Sequence, residues 1–259
     1  MIPCHGDALM ADPSEQSETL PEFISPCPLI DAIFSVWFET NLPPEVVFGV
    51  VYQEFSKDFS AITTLPSAFV QPEFLKANPA LSHQPTHRLD GNDLTLLVGS
   101  DNFAVGMRGQ YPGWAKLKPS FLGVFNRFDA LGISKRLERF GLRYINFFDS
   151  DILSRLNLQY SIKGQSLGDT QTFFRTVLGR RKYRLSLQVM NGVTLPSLPG
   201  QLGSLIDIDT FLNKPDTRNR AQSVEEFLNG AHDEEKKLFF DLLTDELLKS
   251  LNPVYPKDV

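Results

Sequence analysis

Leu29-Ile30-Asp31-Ala32-Ile33-Phe34-Ser35-Val36-Trp37-Phe38-Glu39 is the stretch on which the fold turns. Ile30, Ala32, Phe34, Val36 and Phe38 recur at every second position, and the set between them, which includes Asp31 and Ser35, is mixed. Successive side chains of a strand point to opposite faces, so a period of two predicts a strand with one wholly apolar face. After it, Asn41 precedes Pro43-Pro44, and Val47, Phe48, Val51, Tyr52 and Phe55 follow at helical spacing. Prolines suit a first helical turn, so a helix is predicted over 43–56. Leu94, Leu96 and Val98 alternate, Gly99 to Asn102 reads as a turn, and Phe103, Val105 and Met107 alternate again, which is the pattern of a hairpin. Tyr111, Trp114, Leu117, Phe121, Phe125 and Phe128 then step by three and four towards Gly132, predicting a helix over 112–131 with one aromatic stripe. A strand over 138–148 completes the order βαββαβ, the split βαβ arrangement of ferredoxin-like domains.

Residues 58–92 carry Pro66, Pro72, Pro79 and Pro85 without a sustained period, and Glu73 to Asn78 is their one candidate helix. A connection of that length is expected to be a lid or a structural wrap. The second half reads as a four-stranded meander over 156–163, 171–178, 182–190 and 204–211. In its first strand Leu156, Leu158, Tyr160 and Ile162 alternate with Asn157, Gln159, Ser161 and Lys163, which implies a sheet with one wet face. Ser223 and Glu226 have capping-box spacing ahead of a long helix on Val224, Phe227, Leu228, Ala231, Leu238, Phe239, Leu242 and Leu243. Thr244-Asp245-Glu246 then recaps a short last helix that runs through Leu251. The fold class expected is α+β, with mostly antiparallel sheets covered by helices. Residues 1–24 form a flexible leader, 25–150 the βαββαβ half, and 151–259 the meander with its C-terminal helices, the two halves sharing one core.

With 259 residues the chain can bury a substantial core, and its 21 phenylalanines point to a thick aromatic layer between sheet and helices. A net charge of −6 argues against a broad nucleic-acid or anionic-membrane surface, either of which needs a cationic field. Cys4 and Cys27 are too few for a disulfide framework or a thiolate metal site, and a reducing, cytoplasmic setting fits. The start of the chain has neither a basic n-region nor an apolar run, so it does not read as a signal peptide. No stretch of about 18 apolar residues occurs, so no transmembrane helix is expected.

Gly141-Leu142-Arg143-Tyr144-Ile145-Asn146 is the most specific string in the chain. Together with Pro28-Leu29-Ile30-Asp31-Ala32-Ile33, Tyr111-Pro112-Gly113-Trp114, Ile206-Asp207-Ile208-Asp209 and the run from Ala231-His232 to Leu243-Thr244, it resembles a sporadically distributed prokaryotic family of conserved hypothetical proteins. The resemblance spans nearly everything after residue 25. This chain has Ala-His where that family more often has Leu-His, and Ile-Asp-Ile-Asp where Leu-Asp-Ile-Asp is usual. The resemblance implies a mobile or defence-linked accessory role through the family's sporadic distribution, and no reaction, cofactor or catalytic residue.

Five polar residues in apolar strands are the candidate site: Arg143, Tyr144, Asn146, Asp207 and Asp209. Tyr144 and Asn146 share one face of their strand and Arg143 takes the other. Asp207 and Asp209 share a face about 6.6 Å apart at a rise near 3.3 Å per residue, and could either hold a divalent cation with further oxygen ligands or place one aspartate against Arg143 or Arg139 and the other in water, with Arg143 expected to meet one of the two. His83 and His87 have zinc spacing, but Pro85 lies between them and no general-base glutamate accompanies them. His232 falls on the apolar stripe of its helix and reads as a core histidine. Arg180, Arg181, Lys182 and Arg184 read as a solvated hairpin tip. No nucleophile elbow or phosphate loop occurs. The function expected is non-enzymatic binding or regulation through a protein partner or homo-oligomer, with no catalytic residue, metal ligand or cofactor. The alternatives are a metal-assisted phosphoester hydrolase using Asp207 and Asp209, and a small-ligand carrier with an apolar cavity between the sheet and helix 112–131.

Overall fold

The computed structural model describes residues 19–71, 74, 81–159, 161–163, 165–166, 172–195 and 198–256. Its first half runs through β1 (Leu29–Glu39), α1 (Pro44–Phe55), β2 (Ala61–Thr64), β3 (His87–Asp90), β4 (Leu94–Val98), β5 (Asn102–Met107), α2 (Trp114–Ala130) and β6 (Arg136–Phe148). The second half adds β7 (Ser161–Ile162), β8 (Gln165–Ser166), β9 (Phe173–Arg180), β10 (Tyr183–Leu195), β11 (Leu198–Asn213), α3 (Arg220–Leu242) and α4 (Asp245–Ser250). Among the described residues nine strands form one sheet in the order β2-β3-β4-β5-β1-β6-β11-β10-β9. Every neighbouring pair in it is antiparallel. The fold is α+β, a large antiparallel sheet with a few helices.

Period two in β1 sets which face is covered. Ala32, Phe34, Val36 and Phe38 are buried, and the register places Val36 between Phe103 of β5 and Phe140 of β6. The rings of α2 meet this row, Phe121 and Phe125 at 6.3 and 6.0 Å from Phe34 and Phe128 at 5.3 Å from Phe38. Phe55 of α1 lies 5.8 Å from Phe103, and Phe227 of α3 lies 6.3 Å from Phe34 and 5.5 Å from Phe140. All three long helices therefore cover one face, and the buried apolar residues from Ile24 to Leu251 make one continuous cluster. Among the described residues no helix is long and apolar enough to cross a membrane.

Several expectations are corrected. The strand predicted over 156–163 does not form. Among the described residues, Leu156 makes an isolated bridge to Leu243, the Asn157 backbone N–H donates to Leu242 O at 2.7 Å, and Ser161–Ile162 pair with Gln165–Ser166 outside the main sheet. The carbonyls at the end of α3 lack intrahelical donors, and this segment supplies one instead of joining the sheet. In the main sheet β11, β10 and β9 lie side by side in antiparallel pairs. The long helix starts earlier than Ser223: Asn219 caps it by accepting from Gln222 N, and the Ser223 hydroxyl turns back to the Asn219 carbonyl at 2.7 Å. β2 and β3 lengthen the sheet where no strand was expected, because four residues each are too few to show a period. Of the leader predicted over 1–24, residues 22–24 are tied into the fold: Glu22 N donates to Val254 O and Val254 N to Phe23 O, both at 2.8 Å, and Ile24 is in the core, while residues 1–18 lie outside the described residues. The candidate helix Glu73 to Asn78 lies, apart from Phe74, outside the described residues.

Phe34 meets rings from two helices, so Phe34→Ala should cost about 3–5 kcal/mol in urea unfolding, whereas the exposed Phe173→Ala should stay within about 0.5 kcal/mol. Equal losses would show that the helices do not share this face.

Candidate functional site

β6 is central in the sheet, with β1 on one side and β11 on the other, and its alternation divides the candidate residues between two environments. Arg143 lies on the face away from the helices, facing Asp209 in register, yet it reaches diagonally to Asp207, Nε to Oδ1 at 2.8 Å and NH2 to Oδ2 at 2.5 Å. Asp207 is 2% exposed and also accepts from Gln188 Nε2 at 3.1 Å. Arg139 reaches Asp209 at 2.5 Å with its guanidinium held between the rings of Trp37 and Phe211, each at 4.6 Å. Gly141 leaves the path open, since a Cβ there would strike that guanidinium and the Ser35 hydroxyl. Both acidic side chains considered for a cation are thus engaged by arginines, and among the described residues no three His, Cys, Asp or Glu side chains converge to hold a metal. His83 stacks on Trp37 at 3.9 Å and His87 on Phe48 at 3.8 Å. The basic turn is tied to α3, with Arg180 donating to Asp241 at 3.0 Å and Arg181 lying 3.4 Å from Glu234.

Tyr144 and Asn146 face the opposite way, into a cavity of about 330 Å³ between the N-terminal segment, the start of α2, β6 and α3. Gly113 has φ +88° and ψ 150°, a conformation that in practice only glycine adopts, and this turn sets Trp114 at the first position of α2. Trp114 stacks on His232 of α3 with centroids 4.3 Å apart and planes 12° from parallel, and His232 Nδ1 is 2.9 Å from the Tyr144 hydroxyl. Tyr111 adds a ring 6.4 Å from Tyr144. Burial, reinforced by Lys236, lowers His232 to about 4, so the imidazole is neutral. Burial also raises Tyr111 to about 12 and keeps Tyr144 protonated. His232, read from sequence as a core residue, instead forms part of the cavity wall.

Glu235 completes this wall. It is 1% exposed, and neither carboxyl oxygen has a hydrogen-bond partner. Burial holds its pKa well above the carboxylate range, with Asp209 and Asp207 adding to the effect; the Tyr144 backbone opposes it from beyond hydrogen-bond geometry. Sequence reasoning passed over Glu235, although a signal existed: Val224, Leu228, Ala231, Leu238 and Leu242 form a three-four series in which position 235 is the one charged member. A larger depression of about 550 Å³ near Lys182 and the start of α3 offers less, because its polar walls are already paired, Arg218 with Asp216 and Gln222 with Glu226. In comparisons with known proteins, no family model matches the chain and no curated protein is matched by it.

Two stability outcomes follow from these environments. Removing Arg143 leaves the Asp207 carboxylate buried with only an amide beside it. Because the Arg143 side chain is itself 43% exposed, Arg143→Ala should cost about 1–3 kcal/mol, below the roughly 3–5 of a fully buried pair. The double variant Arg143→Met with Asp207→Leu should recover at least half of it in urea unfolding, and a double variant worse than the single would show that the pair does more than neutralise charge. For Glu235 the sign is opposite. A carboxyl whose folded pKa is raised contributes fully below its unfolded pKa, and that contribution is lost as pH climbs through the folded value. Glu235→Leu should therefore stabilise the protein by about 1–3 kcal/mol near pH 8, with the gain shrinking towards pH 4. A loss of stability at pH 8 would mean that the carboxyl has a structural partner.

Proposed function

We propose that the protein binds a small organic ligand in the cavity walled by Trp114, His232, Tyr144 and Tyr111, and that its role is binding instead of catalysis. The observation that carries this reading is the pre-formed stack of Trp114 on His232, fixed in turn by Tyr144, at the wall of a largely apolar cavity of about 330 Å³. Ligand sites are concave and apolar with a few placed polar groups, and this volume stands at their small end. Of the polar side chains that converge there, His232 is occupied with Tyr144, and Glu235 is buried without a donor. We read the β6-β1-β5-β4 order as a ferredoxin-like unit to which β2 and β3 have been added at one edge and the β9 to β11 meander at the other. In this reading the meander serves the site indirectly, since β10 gives α3 a ring to rest on, Tyr183 against Phe227 at 6.0 Å.

A protein partner is a second reading, favoured by one observation. Phe69 and Phe74 are 81% and 70% exposed, close in sequence to the fully exposed edge strand β2. An edge strand with exposed residues is a surface that another chain can pair with.

The chain has two tryptophans, so Trp37→Phe leaves Trp114 as the sole reporter in the cavity. Aromatic fragments of about 12 non-hydrogen atoms should change its emission saturably with Kd on the order of 1 mM, since such fragments gain roughly 0.3 kcal/mol per atom. In the otherwise wild-type chain, Trp114→Ala should weaken the same fragments about tenfold or more by calorimetry. Fragments that bind Trp114→Ala unchanged would place the ligand elsewhere.

A further inference from the structure

We infer that the ligand carries a cationic nitrogen bearing N–H groups, an ammonium or a guanidinium, and that Glu235 receives it against the faces of Trp114, Tyr111 and Tyr144. This rests on the reading of the cavity as a ligand site and names the chemistry it selects. Glu235 lines the cavity with both oxygens lacking donors, at a helix position where the surrounding stripe calls for leucine. Leaving two acceptors unmet in the interior is costly, and a group that fills both with hydrogen bonds removes that cost. The aromatic faces supply the second element of cation recognition, because a ring face is negative and attracts a cation within about 6 Å of its centroid. An ammonium offers three N–H donors and a guanidinium a planar fork, so either can satisfy the two oxygens, whereas a quaternary ammonium can satisfy neither.

Other charged and titratable groups facing the cavity do not supply this pairing. Lys236, next to Glu235 on α3, repels a cation, and Glu22, on the N-terminal segment, is an exposed carboxylate whose attraction for one is screened by water. Cys27 lies on the segment entering β1, and His232 is neutral at ordinary pH. Tyr111 and Tyr144 stay protonated well past pH 8, and Asp207 and Asp209 act only from across the sheet, where arginines hold them. Glu235 is therefore the group that changes charge on binding. Burial without a donor disfavours its charged form in the empty cavity and a bound cation favours that form, so a proton that Glu235 holds leaves to solvent as the ion pair forms. Binding should release a proton, and affinity should rise with pH.

The experiment is titration calorimetry on the full chain with 2-phenylethylamine, 2-phenylethylguanidine, trimethyl(2-phenylethyl)ammonium, the neutral 2-phenylethanol and the anionic phenylacetate, at pH 6 and 8 in buffers of different ionisation heat. The amine or the guanidine should bind about tenfold or more tighter than the alcohol at pH 8, and weaken at pH 6. Its binding should also release protons to the buffer. In Glu235→Gln the preference and the proton release should both vanish while 2-phenylethanol binds as before, and Lys236→Met should keep both. A quaternary compound equal to the amine, an alcohol equal to it, or a preference for phenylacetate would overturn the cation assignment and leave the cavity as a ligand site. No binding by any of the five, with Trp114 emission unmoved, would overturn both.

Discussion

The antiparallel pairing of β6 with β1 on one side and β11 on the other holds the rest of the structure in place. Backbone hydrogen bonds to both neighbours fix the rotation of every β6 residue, so Leu142, Tyr144 and Asn146 must face the helices while Arg139 and Arg143 must face away. A slip of one residue would bury two guanidiniums under α2 and α3 and expose the row that carries the aromatic core. The cost of that slip is what makes the register unique, and it is the reason that a tyrosine and an arginine adjacent in sequence serve unrelated purposes.

Charge is handled differently on the two faces. On the face away from the helices each buried acidic group has a guanidinium: Arg143 forks onto Asp207, and Arg139 lies between Trp37 and Phe211 with its end on Asp209. Asp31 is the exception, with one oxygen unpartnered and its pKa raised by burial to about 6. On the helical face the carboxyl of Glu235 is fully buried and has no donor among the described residues. Stability alone would replace it with leucine, and sites that keep such a cost are where binding or chemistry is found. The arginine pairs hold the fold together, and Glu235 acts against it.

The cavity itself depends on elements far apart in the chain. Trp114 is set by the Gly113 turn at the head of α2, Tyr144 by the alternation of β6, and His232 and Glu235 by their spacing of three on α3. The N-terminal segment closes one side because Glu22 and Phe23 bond to Val254 at the other end of the chain. Rigid stacking of Trp114 on His232 requires that α2 and α3 lie on the same face of the sheet, which the phenylalanine row of β1 enforces.

Local periodicity was enough for much of this architecture. Alternation in β1, β4, β5 and β6 and the aromatic steps of α2 are properties of short windows, and a window of that length records its own burial, so the sequence determined the strand faces, the α1 and α2 positions and the opposite facing of Arg143 and Tyr144. Length limited the rest. β2 and β3 are too short to show a period, the segment after Leu156 lost its alternation to the end of α3, and Ser223 offered a cap that Asn219 supplied one turn sooner. Which carboxylate each arginine takes was decided by the sheet, since Arg143 bypasses the residue it faces in register to reach Asp207. Only the tertiary structure showed that His232 stacks on Trp114 and that Glu235 is unpaired, because whether a buried group has a partner is a property of everything around it and is not encoded in any one segment of the chain.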